Sequence, residues 1–424
     1  MAVDGSSRAT GALIDRLEGL SQRGLFLLVA GPIFVVYLLT ATWSHPMVND
    51  AFTNSVAAWN LGTHGSVYLE EHEVLEDYRG YFAWIIPAGD SVASKYPPGA
   101  AVLAAPIYAV WPEESELLTY EREDLPERVR QEDQAEVSFL FPPPGPAALT
   151  AAATTAIAIG LLALVFLRLG GTPQASVGGA YLAGLGTSAW AVAADQLWQH
   201  GPAMLWIALA LLLSDRRLVG SGIAYGAAIL TRPPVALIAA GSGLLRAFKE
   251  RSLRPAILVG AGSVLGLVAF LAYNWWLFGD PSISAGYGTS FQDRVGSGLG
   301  VDYLRNLFLA AFSVNYGMLV WSPFLLVLLP GLRDGWKAAP PWARGAFLGG
   351  IVYLLIQYKA NRASGGVFLG YRYPLEALTA AAPVLFLAYT ERLSKRPPLR
   401  RAFIWAAIVS VAMQLLAALD IQLI

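Results

Sequence analysis

The sequence lacks cysteine and carries little charge. None of its 424 residues is cysteine, and Asp, Glu, Lys and Arg together account for only 14% of the chain, whereas 55% is hydrophobic. The absence of cysteine excludes disulfides, thiolate metal sites and cysteine nucleophiles. So few charges, with a mean hydropathy of +0.50, exclude an ordinary soluble protein. The composition instead predicts an all-α polytopic membrane protein.

The chain also lacks the short motifs of common soluble enzymes. It contains no glycine-rich phosphate loop after a strand, no HExxH and no nucleophile elbow. Its basic residues are spread over short segments rather than gathered on one face, so nucleic acid is not an expected partner. Any chemistry must therefore come from residues that the fold brings together.

Hydrophobic runs define the expected topology. A helix needs about 20 residues to cross the hydrocarbon core of a bilayer, and about eleven runs approach this length. A single transmembrane domain is therefore predicted over 24–424, after a cytoplasmic N-terminal segment 1–23. The first run is interpreted as a retained span, because no small-residue cleavage site follows it. The predicted spans are 24–43, 147–168, 176–193, 201–214, 218–231, 233–245, 255–278, 315–332, 345–358, 374–390 and 402–418.

The region 44–146 is predicted to form one large extracytoplasmic loop region. Within it, the apolar stretch 98–111 is too short for a comfortable span, and a crossing there would turn every later basic cluster outward. This stretch is therefore predicted to be a re-entrant or interfacial helix. The acidic stretch 113–136 that follows is interpreted as a solvated, partly disordered excursion rather than as a site.

Charge orients the predicted spans. Short basic clusters all fall on one side, which the positive-inside rule assigns to the cytoplasm. The opposite, extracytoplasmic side then carries the acidic excess and the four histidines, His45, His64, His72 and His200. The basic clusters are Arg16 with Arg23, Arg216 with Arg217, Arg246 with Lys249, Arg251 and Arg254, Arg333 with Lys337 and Arg344, and Arg392 with Lys395, Arg396, Arg400 and Arg401.

Two consecutive spans, 218–231 and 233–245, are too short for both to cross fully. Each would rise only about 20 Å at 1.5 Å per residue. They are predicted to form a hairpin whose tip carries Arg232 at membrane depth. An ionisable residue there is costly, so Arg232 is a functional-site hypothesis.

Two candidates follow the first span. Asp50 opens an amphipathic stretch, 51–61, and the interpretations as a helix N-cap and as a catalytic carboxylate are equally weighted. Lys95 and Tyr96 precede a double proline that begins the short apolar stretch 98–111. Lys95 could bind a phosphate at the membrane surface. The local sequence alone, however, favours a lysine that extends its ammonium group to the lipid headgroups.

Two further candidate groups lie in later outer turns. Asp195, Gln199 and His200 stand in one polar turn, which suits a helix-capping turn as well as a site. Arg372 lies between tyrosines, including Tyr373, after several glycines. Because guanidinium groups bind phosphate through a planar fork of donors, this stretch, with Lys359 and Arg362 nearby, is the strongest candidate anion site. Lipid headgroup binding is the alternative.

A series of motifs occurs in a definite order along the chain. Together they resemble the GT-C class of multi-spanning glycosyltransferases, particularly bacterial relatives of protein mannosyltransferases and lipid A aminoarabinose transferases. The resemblance extends over nearly the whole chain. Its motifs are Asp50 after the first span, SKYPPG with a following AAP stretch (Ser94 to Pro106), LWQHGP (Leu197 to Pro202), LTRPP (Leu230 to Pro234), YNWWLFGDP (Tyr273 to Pro281), VNYGMLVWSPF (Val314 to Phe324) and GYRYP (Gly370 to Pro374).

The resemblance implies a GT-C-like bundle in the bacterial cytoplasmic membrane, with its active site extracytoplasmic. It implies an inverting enzyme that moves a sugar from a polyprenyl-phosphate-linked donor to a cell-envelope glycan, lipid or protein. Asp50 would be the general base. The donor phosphate would contact Lys95, Tyr96, Arg232, Arg372 and Tyr373.

The same resemblance leaves the acceptor side open. Asp195, Gln199 and His200 would orient the acceptor or, alternatively, hold a divalent cation, Mg²⁺ or Mn²⁺, with Asp50 and His200 as its ligands. No other cofactor is expected.

Two other functions compete with this hypothesis. The first is a transporter or flippase of a lipid-linked envelope precursor, whose signature would be related halves with broken helices and ionisable residues near mid-membrane. Only the surroundings of Arg232 match it in the sequence. The second is a non-catalytic scaffold of envelope assembly, which would tolerate substitution of every outer-face charge.

Overall fold

The computed structural model describes residues 19–44, 49–125, 127, 135–297, 300–366 and 369–422. Most of the predicted N-terminal segment 1–23, and the predicted outer-side residue His45, lie outside these residues. The described chain is mostly helical, as the composition predicts. Two antiparallel hairpins supply its strands, and short 3₁₀ and π turns join several helices.

The helices and strands are numbered in chain order. They are α1 Gln22–Thr40, α2 Asn49–His64, β1 Ile85–Ala88, β2 Ser91–Ser94, α3 Gly99–Tyr108, β3 Glu116–Glu121, β4 Glu136–Phe141, α4 Pro144–Arg168, α5 Pro173–Leu185, α6 His200–Leu213, α7 Leu218–Thr231, α8 Ala236–Glu250, α9 Arg254–Phe278, α10 Thr289–Gly296, α11 Val301–Phe312, α12 Met318–Trp321, α13 Phe324–Leu328, α14 Leu332–Ala338, α15 Pro341–Ala360, α16 Leu375–Ala388 and α17 Pro397–Gln422.

Four of the described helices are long and apolar enough to cross a membrane. They are Gln22–Thr40, Pro144–Arg168, Arg254–Phe278 and Pro397–Leu419. The other predicted spans correspond to shorter, broken or less apolar helices. Helix length and composition therefore indicate a membrane protein without establishing the predicted number of about eleven spans.

The predicted span 315–332 is not one helix. α12 ends at Trp321 and α13 begins at Phe324. Ser322 between them has φ −139° and ψ 65°, because the residue before a proline, here Pro323, is driven away from the helical region. The Ser322 hydroxyl donates to the carbonyl of Gly186 at 2.8 Å, so the break is also held from outside.

The predicted helical hairpin of 218–245 is present. α7 ends at Thr231, Arg232 has an extended backbone, and a 3₁₀ turn over Pro233–Val235 leads into α8. The tip packs tightly against α3, because a Cβ on Gly99 would lie 2.3 Å from the Thr231 hydroxyl. This contact connects the hairpin to the 44–146 region.

The 44–146 region is more ordered than the sequence suggested. β1 pairs antiparallel with β2, and β3 with β4. The stretch 113–136, interpreted as a solvated and partly disordered excursion, contains the ordered strand β3, most of whose residues are exposed as that interpretation expects. Alternation explains the strand: Leu118 and Tyr120 pack on a buried cluster that includes Phe139, and the alternate residues Leu117, Thr119 and Glu121 are exposed.

Glycines let two helix pairs approach backbone to backbone. α7 meets α9 through Gly222 and Gly226 on one side and Gly262 and Gly266 on the other, and α8 meets α15 in the same way through Gly241 and Gly345. Small residues spaced in this manner allow close helix packing within membranes. The contacts fix the hairpin, and therefore Arg232, beside α15.

Replacing Gly266 with valine should destabilise the protein. A Cβ at this position would lie 2.0 Å from the Gly226 carbonyl oxygen, and backbone atoms cannot move aside as a flexible side chain can. Overpacking of this kind costs about 1–3 kcal/mol. Thermal unfolding in detergent should therefore show a lower Tm for Gly266→Val.

Gly260→Val on the same helix is the matched control. Nothing lies within 4 Å of a Cβ built at Gly260, so its Tm should stay near that of the wild type. Equal Tm values for the two variants would contradict the close α7–α9 contact.

Candidate functional site

The structure joins Asp50 and Arg372, which are 322 residues apart in the chain. Asp50 is the second residue of α2, and Arg372 lies three residues before α16. Arg372 Nη1 is 2.5 Å from Asp50 Oδ2, and the side chains are 12% and 22% exposed. The pair therefore lies at the edge of the protein interior, within reach of solvent or a ligand.

Aromatic rings support the Arg372 guanidinium. It lies 4.7 Å from the ring centroid of Trp198 and 4.9 Å from that of Tyr373, within the range of cation–π attraction. Arg372 Nη2 also donates to the Tyr373 hydroxyl at 3.0 Å. Gly365, with φ +67°, leaves room for the arginine: a Cβ there would lie 3.0 Å from Arg372 Nε.

Lys95 and Tyr96 reach the same pair from the loop after β2. The Lys95 ammonium lies 3.2 Å from the ring centroid of Trp84 and more than 5 Å from those of Tyr96 and Tyr287. The Tyr96 hydroxyl forms a hydrogen bond with Asp50. The cluster of Asp50, Lys95, Tyr96, Arg372 and Tyr373, called the outer cluster below, thus combines one carboxylate, two cations and two phenols.

Burial and charge set the protonation of the outer cluster. Burial lowers the pKa of Lys95 to about 7, although the Asp50 carboxylate acts in the opposite direction. Burial would raise the pKa of Asp50, but Arg372, the Tyr96 hydrogen bond and Lys95 outweigh it, so this pKa is below its ordinary value. Asp50 is therefore ionised at neutral pH, while Lys95 is poised between ammonium and amine.

A second, more deeply buried cluster contains Arg232, His200 and Glu376. Glu376 Oε1 lies 2.8 Å from His200 Nδ1 and 2.9 Å from Arg232 Nε. Arg232 also donates to the Tyr353 hydroxyl at 3.0 Å and to Gln357 Oε1 at 3.1 Å. This inner cluster leaves little of the Arg232 guanidinium available to a donor phosphate.

Gln199 joins the inner cluster, whereas Asp195 does not. Gln199 Oε1 lies 3.5 Å from Arg232 Nη1. Asp195 Oδ1 instead accepts hydrogen bonds from the Thr42 amide at 2.8 Å and the Thr42 hydroxyl at 2.9 Å. Asp195 therefore ties the turn at 195–202 to the residues that follow α1, and it does not cap α6, whose N-cap residue, Gln199, makes no side-chain capping bond.

Glu376 was not among the residues that the sequence singled out. A signal was nevertheless present, because this acid interrupts the predicted span 374–390. Ionisable residues in apolar segments usually have a function or a partner. This rule singled out Arg232, and it applies equally to Glu376.

The residues proposed as metal ligands do not fit a divalent cation as they are arranged. Asp50 Oδ2 bonds Arg372, and Lys95 adds a second positive group nearby. His200 Nδ1 is bonded to Glu376. Within the part of the chain that the structure describes, no three His, Asp or Glu side chains gather to hold a metal ion. The divalent cation stays a prediction.

Comparisons with known proteins do not place this chain. No protein-family model matches it, and no curated protein matches it. The GT-C resemblance therefore stays a prediction that rests on the motifs themselves.

Substitutions in the outer cluster should move the pKa of Lys95 in opposite directions. Asp50→Asn removes the carboxylate that raises this pKa and should lower it further. Arg372→Ala removes a cation that lowers it and should raise it. Titration of protein with ¹⁵N-labelled lysine Nζ, followed by NMR between pH 5 and 10, measures both shifts.

Asp90→Asn is the control for these titrations. Asp90 is exposed in the turn between β1 and β2, so its replacement should leave the Lys95 curve unchanged. If the titration curve of Lys95 is the same in Asp50→Asn as in the wild type, the Lys95 ammonium and the Asp50 carboxylate do not interact.

Proposed function

We propose that this chain is a membrane glycosyltransferase of the GT-C type. It is a bundle of about eleven spans in the bacterial cytoplasmic membrane, with a cytoplasmic N-terminus and the outer cluster on the extracytoplasmic side. It moves a sugar from a polyprenyl-phosphate donor to a glycan, lipid or protein of the cell envelope. The observation that carries the proposal is the Asp50–Arg372 pair with Lys95 beside it.

The outer cluster suits an in-line displacement. The Asp50 carboxylate takes the proton of an acceptor hydroxyl as its oxygen bonds to the anomeric carbon. The bond from that carbon to the phosphate oxygen breaks, and polyprenyl phosphate leaves with the electron pair, which inverts the configuration. Arg372 and Lys95 neutralise the charge that develops on the phosphate, where removal of one such donor costs about 2.7–4 kcal/mol. Tyr96 and Tyr373 orient the two charged groups.

Exchange of partners links donor binding to base strength. While Arg372 holds Asp50, the low pKa of the carboxylate makes it a weak base. A phosphate that draws Arg372 away removes the largest charge that lowers this pKa. Asp50 then becomes a stronger base only when a donor is present. The phosphate ligands in this mechanism are Arg372 and Lys95, and Arg232 is not one of them because the inner cluster already engages it.

An apolar groove supports a lipid-linked donor. It has a volume of about 550 Å³, and about 150 Å³ holds one six-carbon benzene ring, so it has room for roughly twenty carbons. One face of α16 lines it from Leu375 to Phe386, about 17 Å at 1.5 Å per residue. Leu375, three residues after Arg372, and Met204, four residues after His200, both line the groove. One end of the groove therefore lies near the two clusters. The α16 residues of the groove are Leu375, Leu378, Thr379, Ala382, Leu385 and Phe386.

A transporter or flippase of lipid-linked precursors is the second candidate. The buried Arg232–Glu376 pair lies beside the broken α7–α8 hairpin, a combination that transporters use near the membrane midplane. The two functions separate in one assay, in which purified protein in liposomes receives donors with a labelled sugar. Transfer releases free polyprenyl phosphate, whereas a flippase moves intact donor between leaflets.

Replacing Asp50 with asparagine should abolish transfer. Loss of a general base typically slows a reaction by 10²–10⁴-fold. Release of free polyprenyl phosphate, measured with a panel of labelled polyprenyl-phosphate sugars and a membrane extract as acceptor, should fall at least about 100-fold. Asp90→Asn, in an exposed turn, should retain wild-type activity. An active Asp50→Asn protein would remove Asp50 from the mechanism.

Filling the groove should weaken binding of long-chain donors. Ala407 of α17 lines the groove, so Ala407→Phe should raise the KM for a long polyprenyl donor roughly tenfold or more, the effect of about 1.4 kcal/mol. A ten-carbon donor should be affected less, because it needs less of the groove.

Val409→Phe is the matched control on the same helix. Val409 is 48% exposed and lies outside the groove, so its KM values should match those of the wild type. Equal effects of both variants on both donors would show that the groove does not hold the lipid chain.

A further inference from the structure

The proposed mechanism gives no role to Glu376, the carboxylate of the inner cluster. Its side chain is 0% exposed and that of His200 is 1% exposed. A carboxylate this deeply buried is costly unless it is paired and hydrogen-bonded. Glu376 meets both conditions through a single oxygen, which bonds one ring nitrogen and one guanidinium nitrogen.

The contact with His200 determines where the imidazole carries its proton. A carboxylate accepts at Nδ1, so the neutral ring must hold its hydrogen there and keep a lone pair on Nε2. Arg232 already balances the charge of Glu376, so the ring does not need to be cationic to form this bond. His200 is thereby set to accept a hydrogen bond at Nε2.

The position of the ring connects the inner cluster to the outer one. The His200 ring centroid lies 6.2 Å from that of Trp198 and 6.5 Å from that of Tyr373. The same two rings support the Arg372 guanidinium. A change in the orientation of His200 would therefore reach the residues that hold Arg372.

We propose that Glu376 is a positioning residue of the transferase site. It fixes the Nδ1–H form and the orientation of His200, so that the ring stays packed beside Trp198 and Tyr373, which hold Arg372, and it engages Arg232, so that the donor phosphate is left to Arg372 and Lys95. This role rests on the proposed function, but the state of the His200 ring in the resting protein does not.

The test uses a double variant, Arg232→Met with Glu376→Met. Removing one partner of a buried pair strands the other, whereas replacing both with apolar residues is often neutral for stability. The double variant should therefore fold, with a Tm close to that of the wild type. If Glu376 were only a counter-ion for Arg232, the double variant would also keep wild-type activity.

Two measurements follow on full-length protein in nanodiscs. In ¹⁵N-histidine spectra, assigned with His200→Gln, the wild type should show Nδ1 protonated and Nε2 unprotonated, and the double variant should show a mixture of tautomers. Release of free polyprenyl phosphate should fall about 10–100-fold in the double variant, because a displacement of about 1 Å caused by a change away from the chemistry can slow a reaction by about 100-fold.

Each outcome decides the proposal. A wild-type His200 that is protonated at Nε2 would overturn it, and so would a double variant that keeps either the wild-type tautomer or the wild-type release rate. If the wild type releases no polyprenyl phosphate, the proposed function fails, while the tautomer still decides whether Glu376 positions His200. Glu376→Gln, whose amide oxygen can accept the same bond, should retain the Nδ1–H form.

Discussion

The cost of burying charge governs this structure. Each arginine of the candidate site is held by a carboxylate from a distant part of the chain, Arg372 by Asp50 and Arg232 by Glu376. A buried guanidinium without such a partner would carry a desolvation cost of several kcal/mol. The two pairs therefore require α2, the hairpin tip and the start of α16 to meet, and the close glycine contacts of α7 with α9 and of α8 with α15 make that meeting possible.

The two pairs differ in exposure, and this difference separates their roles. Asp50 is 22% exposed and bonds a guanidinium at the rim of the interior, whereas Glu376 is fully buried and bonds two groups at once. The arginines themselves are almost equally exposed, at 12% for Arg372 and 11% for Arg232, so the carboxylates and the number of partners make the difference. An anion that competes for Arg372 displaces a carboxylate that water can solvate, whereas competition for Arg232 would strand the buried Glu376 and break the hydrogen bonds to Tyr353 and Gln357. The outer pair is thus suited to exchange and the inner pair to support.

Composition and hydrophobic runs predict the helical class and most helix positions, because they act locally. Pairing is not local. Arg232 stood out as a charge at a helix break, yet nothing in the sequence named Glu376 as its partner, and Asp50 and Arg372 came together through a resemblance rather than through spacing. The acidic content of 113–136 concealed the alternation that forms β3, and Ser322–Pro323 broke a span that hydrophobicity alone had joined.

Arg372 and Glu376 stand four positions apart across the start of α16, Arg372 in the turn before the helix and Glu376 as its second residue, so one short stretch serves both pairs. Insertion or deletion of one residue between them would move one partner out of line with the other. Descendants of this gene can therefore vary the chemistry of the stretch by substitution but not its length. Loss of the carboxylate at position 50 would leave the Arg372 guanidinium unpaired and would favour replacement of that arginine. We therefore expect the residues at positions 50 and 372 to change together among related sequences.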